Sequence, residues 1–525
     1  MCGFIAIANT KASQITKSFE KLKHRGPDDI QIHEFNNGVF GFHRLSIMDL
    51  SVHGRQPFIS NSKNILVCNG EIYNYLELKP LCNEHTFISE SDCEVLLPLY
   101  EQWGIKKLVT KLDAEYALVL WDDKKKKFLA ARDPMGIRPL FYGKTNDGNI
   151  AFASEVKGLI ELCQEVKPFP PGHYYDGETF HCYLDYGNIS TNASLTHQEI
   201  LDGIKNKLSA GVVKRLHSDA KVGFLLSGGL DSSLVCAIAQ KYSQTPIYTF
   251  SIGMTDDAID SKYAQDVANF IGSRHTNVIM NKTQVLQVLK DVIYHLESWD
   301  ITTVRASIGM YLVCQFIKRN TPIKVLLSGE VSDELFGYKY TDFAPSADEF
   351  QKESIKRIRE LYLYDVLRAD RCIAASSLEA RVPFSDQAFV EFVMSIDPVK
   401  KMNTTGIGKF LLREAFKNEK LLPEHILWRE KAAFSDAVGH SMVDELKAHA
   451  DATYTQEDLG NAKNKYPYCS PFTKESLLYR DIFESFYPGK ASLIKDYWMP
   501  NSSWKNCQVS DPSARVLPNY GKSGE

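Results

Sequence analysis

Cys2 directly follows the initiator Met1. A small residue in second place normally permits removal of that methionine, which would leave a thiol and a free α-amine on one residue. With a pKa of about 8, the amine can act as the base for its own nucleophile. The chain also carries the other groups that an amide hydrolysis needs. Arg25-Gly26-Pro27-Asp28 and Arg44-Leu45-Ser46-Ile47-Met48-Asp49 offer arginines that can clamp a carboxylate bidentately. Asp92, in Ser91-Asp92-Cys93-Glu94, can hold an α-ammonium. In Asn69-Gly70-Glu71-Ile72-Tyr73-Asn74, the Asn69 amide and the Gly70 N–H can form an oxyanion hole, glycine allowing close backbone approach. Taken singly, each is more often a turn or a surface ion pair. The set together predicts an amide-cleaving site.

A second group of residues suits phosphate chemistry. The apolar run Val222-Gly223-Phe224-Leu225-Leu226 leads into Ser227-Gly228-Gly229-Leu230-Asp231-Ser232. A strand, a glycine-rich turn and a helix start present backbone N–H groups and a positive helix end to an anion. No GxxxxGK[ST] is present, so this is not a Walker-type loop. Asp231 is placed to hold Mg²⁺ against the phosphates. About a hundred residues later the pattern recurs as Val325-Leu326-Leu327-Ser328-Gly329-Glu330-Val331-Ser332-Asp333-Glu334, a buried strand ending in Ser-Gly and then three carboxylates. Between the two lies Thr302-Thr303-Val304-Arg305, and downstream Leu378-Glu379-Ala380-Arg381-Val382-Pro383-Phe384 and Trp428-Arg429-Glu430-Lys431-Ala432. Arg305 and Lys431 suit a doubly anionic amino acid and a phosphoryl-rich transition state.

These residues need a scaffold larger than one core, and 525 residues predict two or three domains. The first third reads as short apolar strands, among them Gly3 to Ala8, Ile65 to Cys68 and Ala117 to Trp121. From about residue 197, strands at Val222 to Leu226, Ile247 to Ile252 and Lys324 to Leu327 alternate with helical stretches such as Val285 to Leu296 and Ile308 to Ile317. That alternation predicts a parallel sheet with helices on both faces. Beyond about residue 350 the chain reads as mostly helical. The polar stretch 186–196 is the predicted linker between a domain over 2–185 and one over 197–525. Lys124 to Lys127 reads as a solvated hairpin turn.

Composition excludes other classes. Sixty-five acidic residues nearly cancel 61 basic ones, which gives no electrostatic reason for nucleic acid or a membrane surface as partner. The 11 cysteines form no CxxC pair, which argues against a zinc site or disulfide framework and for a reducing compartment. No stretch approaches the roughly 18 apolar residues of a membrane span, and MCGFIAIANTK lacks the basic start of a secretory signal. The expected location is the cytosol.

In this order, the first set of motifs resembles the glutaminase domain of the amino-terminal-nucleophile amidotransferases. Ser-Gly-Gly-Leu-Asp-Ser resembles the pyrophosphate loop of enzymes that cleave ATP between its α and β phosphates. Together, from Cys2 to Asp511-Pro512-Ser513-Ala514-Arg515, the chain looks like a member of the glutamine-hydrolysing asparagine synthetases. That resemblance implies a four-layer αββα first domain and a parallel-sheet α/β nucleotide-binding domain with added helices. It implies Cys2 as nucleophile, with Arg44, Leu45, Ser46, Ile47, Met48, Asn69, Gly70, Glu71 and Asp92 around glutamine. Ser227, Gly228, Gly229 and Ser232 would hold the phosphates of ATP, and Leu225, Ile252, Ser328 and Gly329 would line the adenylate site. Asp231 and Asp333 would hold Mg²⁺, Glu330 would act in the adenylate chemistry, and Thr302, Thr303 and Arg305 would surround aspartate. The implied ligase takes glutamine, aspartate and ATP, with a homodimer as the family's expectation. Val331, Ser377 and Ala114 stand where the family usually has glycine, and Ala432 where it has glutamate. A β-branched side chain at a phosphate-facing glycine position keeps open a second reading, a weakened paralogue that binds glutamine or nucleotide as a regulator.

Overall fold

The computed structural model describes residues 1–83, 85–254, 259–430 and 440–521. Lys431 and Ala432 lie outside the described residues.

Twelve strands build the amino-terminal part: β1 Gly3–Ala8, β2 Asp29–Phe35, β3 Gly38–Arg44, β4 Phe58–Ile59, β5 Ile65–Ile72 and β6 Ala114–Asp122. After a turn at 123–126 come β7 Lys127–Arg132, β8 Phe141–Thr145, β9 Ile150–Ala153, β10 Cys163–Pro168, β11 His173–Tyr175 and β12 Phe180–Cys182. They form two six-stranded antiparallel sheets, ordered β10-β8-β9-β1-β3-β2 and β12-β11-β7-β6-β5-β4. Alternation along the strands sorts the side chains into layers. Phe4, Ala6, Phe40 and Phe42 of one sheet meet Val67, Ala117, Val119 and Phe128 of the other in a closed apolar core. The alternate residues Ile5 and Ile7 pack with Ile15 and Phe19 of the helix Ala12–Glu20. On the far side Leu66, Leu118 and Leu120 pack with Leu96, Leu99 and Leu108 of the helix Leu96–Val109. The result is the expected αββα stack. The Lys124 to Lys127 block forms the β6–β7 hairpin turn, as its setting predicts.

Five further strands follow: β13 Lys221–Leu225, β14 Tyr248–Met254, β15 Arg274–Met280, β16 Ile323–Leu327 and β17 Glu379–Arg381. They form one all-parallel sheet ordered β15-β14-β13-β16-β17. Val325 and Leu327 pack with residues of the helices His197–Lys214 and Leu230–Tyr242. Leu326 and Ile323 pack with Val304 and Ile308 of the helix Ile301–Asn320, so both faces are covered. The chain leaves β13 in one direction toward β14 and returns on its other side as β16. A crevice therefore opens outside the carboxyl ends of β13 and β16, where α/β sheets bind ligands.

The two parts meet across buried charge. Arg25 is fully buried and pairs with Glu155 at 2.6 Å and with Asp370 at 2.8 Å. Arg138 donates to the Ala380 carbonyl at 2.7 Å, and Glu297 accepts the N–H groups of Val156 and Lys157 at 3.0 and 2.9 Å. Removing one member of such a set would leave a desolvated charge at a cost of about 3–5 kcal/mol, so the network fixes how the parts dock. The stretch after residue 186 lies on the second part, Asn192 N–H donating to the Ser395 carbonyl at 2.6 Å.

Candidate functional site

Cys2 sits at the entry to β1, with its Sγ 3.4 Å from the Leu45 N–H that points at it. Burial pushes the thiol up to about 11, against the opposing pull of the Met1 ammonium and the Leu45 N–H. Met1 is fully buried, its amine donating to the Leu378 carbonyl at 3.1 Å. While Met1 is present, Cys2 has no amine of its own. Arg25 donates from Nε to the Cys2 carbonyl at 2.9 Å and spends its other nitrogens on Glu155 and Asp370. It is a strut under Cys2 and not a carboxylate clamp.

Arg44 ends β3 and holds the following loop by donating to the carbonyls of Ser51, at 2.6 Å, and Asp49. Leu45, Ile47 and Met48 of that loop are buried, and Ser46 N–H donates to Asp28 at 2.9 Å. Asn69 on β5 is buried, and its Nδ2 has no hydrogen-bond partner. An orphaned buried amide is costly, and an acceptor arriving with substrate would remove that cost. Gly70 is required by packing as well. A Cβ there would lie 2.5 Å from the Glu115 carbonyl oxygen of the neighbouring strand, so packing against β6 demands it. Asp92 accepts the Ile72 N–H at 2.6 Å, and burial pushes its pKa up to about 6. Glu71 faces the second part, 2.9 Å from Arg381, and burial holds its carboxyl well above the usual range.

In the crevice between β13 and β16 lies a cavity of about 250 Å³. Its wall includes Leu225, Ser227, Gly229, Asp231, Ser232, Ile252, Ser328, Gly329, Glu330 and Asp333, all expected from the sequence. Gly228 lies just behind at φ +76°, where a Cβ would come within 2.5 Å of the Ala264 nitrogen. A Cβ on Gly329 would sit 2.7 Å from the Ser232 nitrogen, so the second Ser-Gly turn packs against the start of the helix Leu230–Tyr242. The helix Leu230–Tyr242 starts at Gly229 without a side-chain cap, and the Ser328 Oγ is buried without a partner. Both are groups that an anionic nucleotide would satisfy.

Asp231 and Asp333 converge on one point, occupied by the Lys409 ammonium at 2.6 Å from each. Burial works to lower the lysine's pKa, but the two carboxylates outweigh it and hold it above its ordinary value. Among the described residues no group of three His, Cys, Asp or Glu side chains could hold a metal. Two carboxylates beside a glycine-rich turn fit Mg²⁺, which takes one or two protein carboxylates together with substrate phosphates. Glu330 pairs with Arg368 at 2.6 Å, and burial raises its pKa against the pull of that arginine.

The predicted aspartate ligands separate. Thr302 is in the cavity wall. Thr303 is turned away, its hydroxyl and N–H both bonded to Asp300 at the start of its helix. Arg305 reaches the wall but is committed to Glu475 at 2.6 Å and Asp511 at 2.9 Å, bracing the carboxyl-terminal segment. Lys409, Arg368, Arg413, Arg429 and the segment Pro512-Ser513-Ala514 also line the cavity. Lys409 was not found from the sequence; its only signal was a cation opening the apolar run Phe410-Leu411-Leu412. Backbone strain marks it as well, at φ +58°.

Residues 1–219 match the family profile described as "Glutamine amidotransferase domain", and residues 203–347 and 340–514 match "Asparagine synthase". The chain is 41% identical over 562 residues to "Asparagine synthetase [glutamine-hydrolyzing]" of Cricetulus griseus, covering 99% of each. It is 40% identical over 565 residues to the Homo sapiens protein of the same description, again covering 99% of each. With the "Probable asparagine synthetase [glutamine-hydrolyzing]" of Dictyostelium discoideum the identity is 39% over 556 residues, covering 98% of each.

Proposed function

The chain belongs to the family of glutamine-hydrolysing asparagine synthetases, and from that premise we propose that it makes L-asparagine from L-aspartate, ATP and the amide nitrogen of L-glutamine. The observation that carries the reading is the pairing of two Ser-Gly turns in one cavity wall at the β13–β16 crevice with two carboxylates that converge on one point. Nothing in the comparisons favours the regulatory paralogue, and the presence of Cys2, Asp231, Glu330 and Asp333 supports the enzyme.

We divide the work between residues 2–185 and 197–525, joined by 186–196. With Met1 removed, the Cys2 amine takes the thiol proton and the thiolate attacks the glutamine amide carbon. The Asn69 Nδ2 and the Gly70 N–H stabilise the oxyanion. Asp92 holds the α-ammonium, while Arg44 with Leu45 to Met48 and Glu71 shape the pocket. Ammonia leaves, and water cleaves the thioester to glutamate. In the second site the aspartate β-carboxylate attacks the α-phosphorus of ATP and pyrophosphate departs. Ser227, Gly228, Gly229, Ser232, Ser328 and Gly329 hold the nucleotide between Leu225 and Ile252. Asp231 and Asp333 would hold Mg²⁺, which supplies charge neutralisation to the phosphates. Lys409, paired with both carboxylates in this structure, adds a cation beside them, and Lys431, which lies outside the described residues, keeps its expected part at the phosphoryl-rich transition state. Ammonia then attacks the β-carbonyl, AMP leaves with the bridging oxygen, and Glu330 takes a proton from the nitrogen. Of the residues expected around aspartate, Thr302 and Arg305 line the cavity, and Thr303 follows Thr302 on the same helix.

We place this reaction in the cytosol and expect a homodimer; all 11 cysteines are free, which suits a reducing compartment. Among the described residues no helix is long and apolar enough to cross a membrane. The test is product analysis of purified protein with MgATP, aspartate and glutamine. Asparagine, glutamate, AMP and pyrophosphate should accumulate together. Glutamate without asparagine or AMP would overturn the reading.

A further inference from the structure

Arg429 belongs to the run Trp428-Arg429-Glu430, to which the mechanism above assigns nothing. It follows the short helix Glu424–Leu427 and lines the cavity. Its side chain is only 9% exposed. Nη1 donates to Asp260 at 3.0 Å and to the Gly228 carbonyl at 3.3 Å, and the guanidinium lies 3.7 Å over the Tyr263 ring. The other two nitrogens, Nε and Nη2, are buried without any acceptor. A guanidinium stays charged at any working pH, so leaving two of its donors desolvated and unmatched carries a standing penalty.

The other arginines of the cavity wall are committed elsewhere. Arg305 is shared by Glu475 and Asp511, and Arg413 donates to the Gly408 and Leu427 carbonyls. Arg368 keeps an orphan Nε, but its Nη2 is held by Glu330 and Asp365. Arg429 alone touches the glycine turn itself, at Gly228. One residue further on, the uncapped start of the 13-residue helix Leu230–Tyr242 adds its positive end. A planar fork with two free donors beside a helix start is the arrangement that recognises a phosphoryl group bidentately.

We propose that Arg429 is a ligand of the β- and γ-phosphoryl groups of ATP, and so of the departing pyrophosphate. This rests on the nucleotide site assigned under Proposed function. The guanidinium holds the leaving group against the Gly228–Gly229 turn, in the cavity that Asp231 and Asp333 also line. Its contribution is specific to the pyrophosphate end and leaves the AMP end untouched.

The test is calorimetric titration of the full-length protein, and of its Arg429→Gln and Arg429→Lys variants, with magnesium pyrophosphate and separately with AMP. Loss of the fork should weaken pyrophosphate binding about ten-fold in Arg429→Gln, with Arg429→Lys between the two and AMP binding unchanged. Glutamine hydrolysis should persist in both variants. Unchanged pyrophosphate affinity in Arg429→Gln would overturn the inference and leave the nucleotide site standing. Equal loss of both ligands would also overturn it, showing that Arg429 only braces the turn through Asp260. If the parent protein bound neither pyrophosphate nor AMP, the nucleotide site itself would be wrong, and the inference with it.

Discussion

Val331→Gly restores a glycine at a position whose backbone asks for one. Val331 has φ +81° and ψ −17°, the left-handed region, and starts the helix Ser332–Phe336 immediately after Glu330. Left-handed backbone costs an ordinary residue about 1–2 kcal/mol, with a β-branched one at the upper end. The side chain offsets that strain by burial: Val331 is 2% exposed and belongs to the same apolar cluster as Leu327, Leu335 and Phe336. Removing it forfeits about 1.5–3 kcal/mol of burial, and glycine adds about 0.5–1 kcal/mol of unfolded-state entropy. The sum is a net loss of roughly 0–2 kcal/mol, centred near 1, so Val331→Gly should lower the thermal midpoint slightly. Val331 also lines the cavity, but its side chain is packed into the core cluster, so ATP turnover should move by less than about three-fold, below the ten-fold that 1.4 kcal/mol of relieved strain in the site would give. Steady-state pyrophosphate release decides it. A gain well above about three-fold would show that the side chain crowds the phosphate-facing turn and that the reasoning is wrong.

Three further outcomes follow from the two sites. Cys2→Ala should abolish asparagine synthesis from glutamine while synthesis from added ammonium salt persists, and retained Met1, which caps the amine, should act likewise; a Cys2→Ala enzyme still using glutamine at the parent rate would remove Cys2 from the mechanism. Asp231→Asn and Asp333→Asn should each sharply reduce pyrophosphate release and leave glutamine hydrolysis running; normal ATP turnover in both would show that the nucleotide site is misassigned. Since burial pushes Asp92 up to about 6, its carboxylate becomes neutral as pH falls through that value. The kcat/KM for glutamine should then fall about ten-fold per pH unit below about 6, and a flat profile would remove Asp92 from ammonium binding.

The sequence was most informative where chemistry and turn geometry coincide. Ser227 to Ser232 and Ser328 to Asp333 were readable because an apolar strand ending in Ser-Gly allows few backbones, and they fall side by side in one cavity wall. The glycine departures were legible as positions but not as reasons. Val331 and Ser377 both have positive φ, at +81° and +54°, while Ala114 lies within an ordinary strand. What the sequence did not show are the contacts between distant residues. Arg305 looked free for substrate because Glu475 and Asp511, which hold it, are more than a hundred residues away. Thr303 looked like a ligand, yet its hydroxyl caps its own helix through Asp300. Lys409 announces itself only once folding brings Asp231 and Asp333 together around it. β17 is three residues long with charged ends, too short for any periodicity, and only pairing with β16 makes it a strand.

The central claim is that aspartate is activated as its β-adenylate in the β13–β16 cavity. It is tested most directly with aspartate carrying ¹⁸O in the side-chain carboxylate, together with MgATP and glutamine, followed by mass analysis of the products. Attack on the α-phosphorus and departure of AMP with the bridging oxygen predict one ¹⁸O in AMP and none in pyrophosphate. Label in orthophosphate or pyrophosphate, or AMP without label while asparagine forms, would contradict the account.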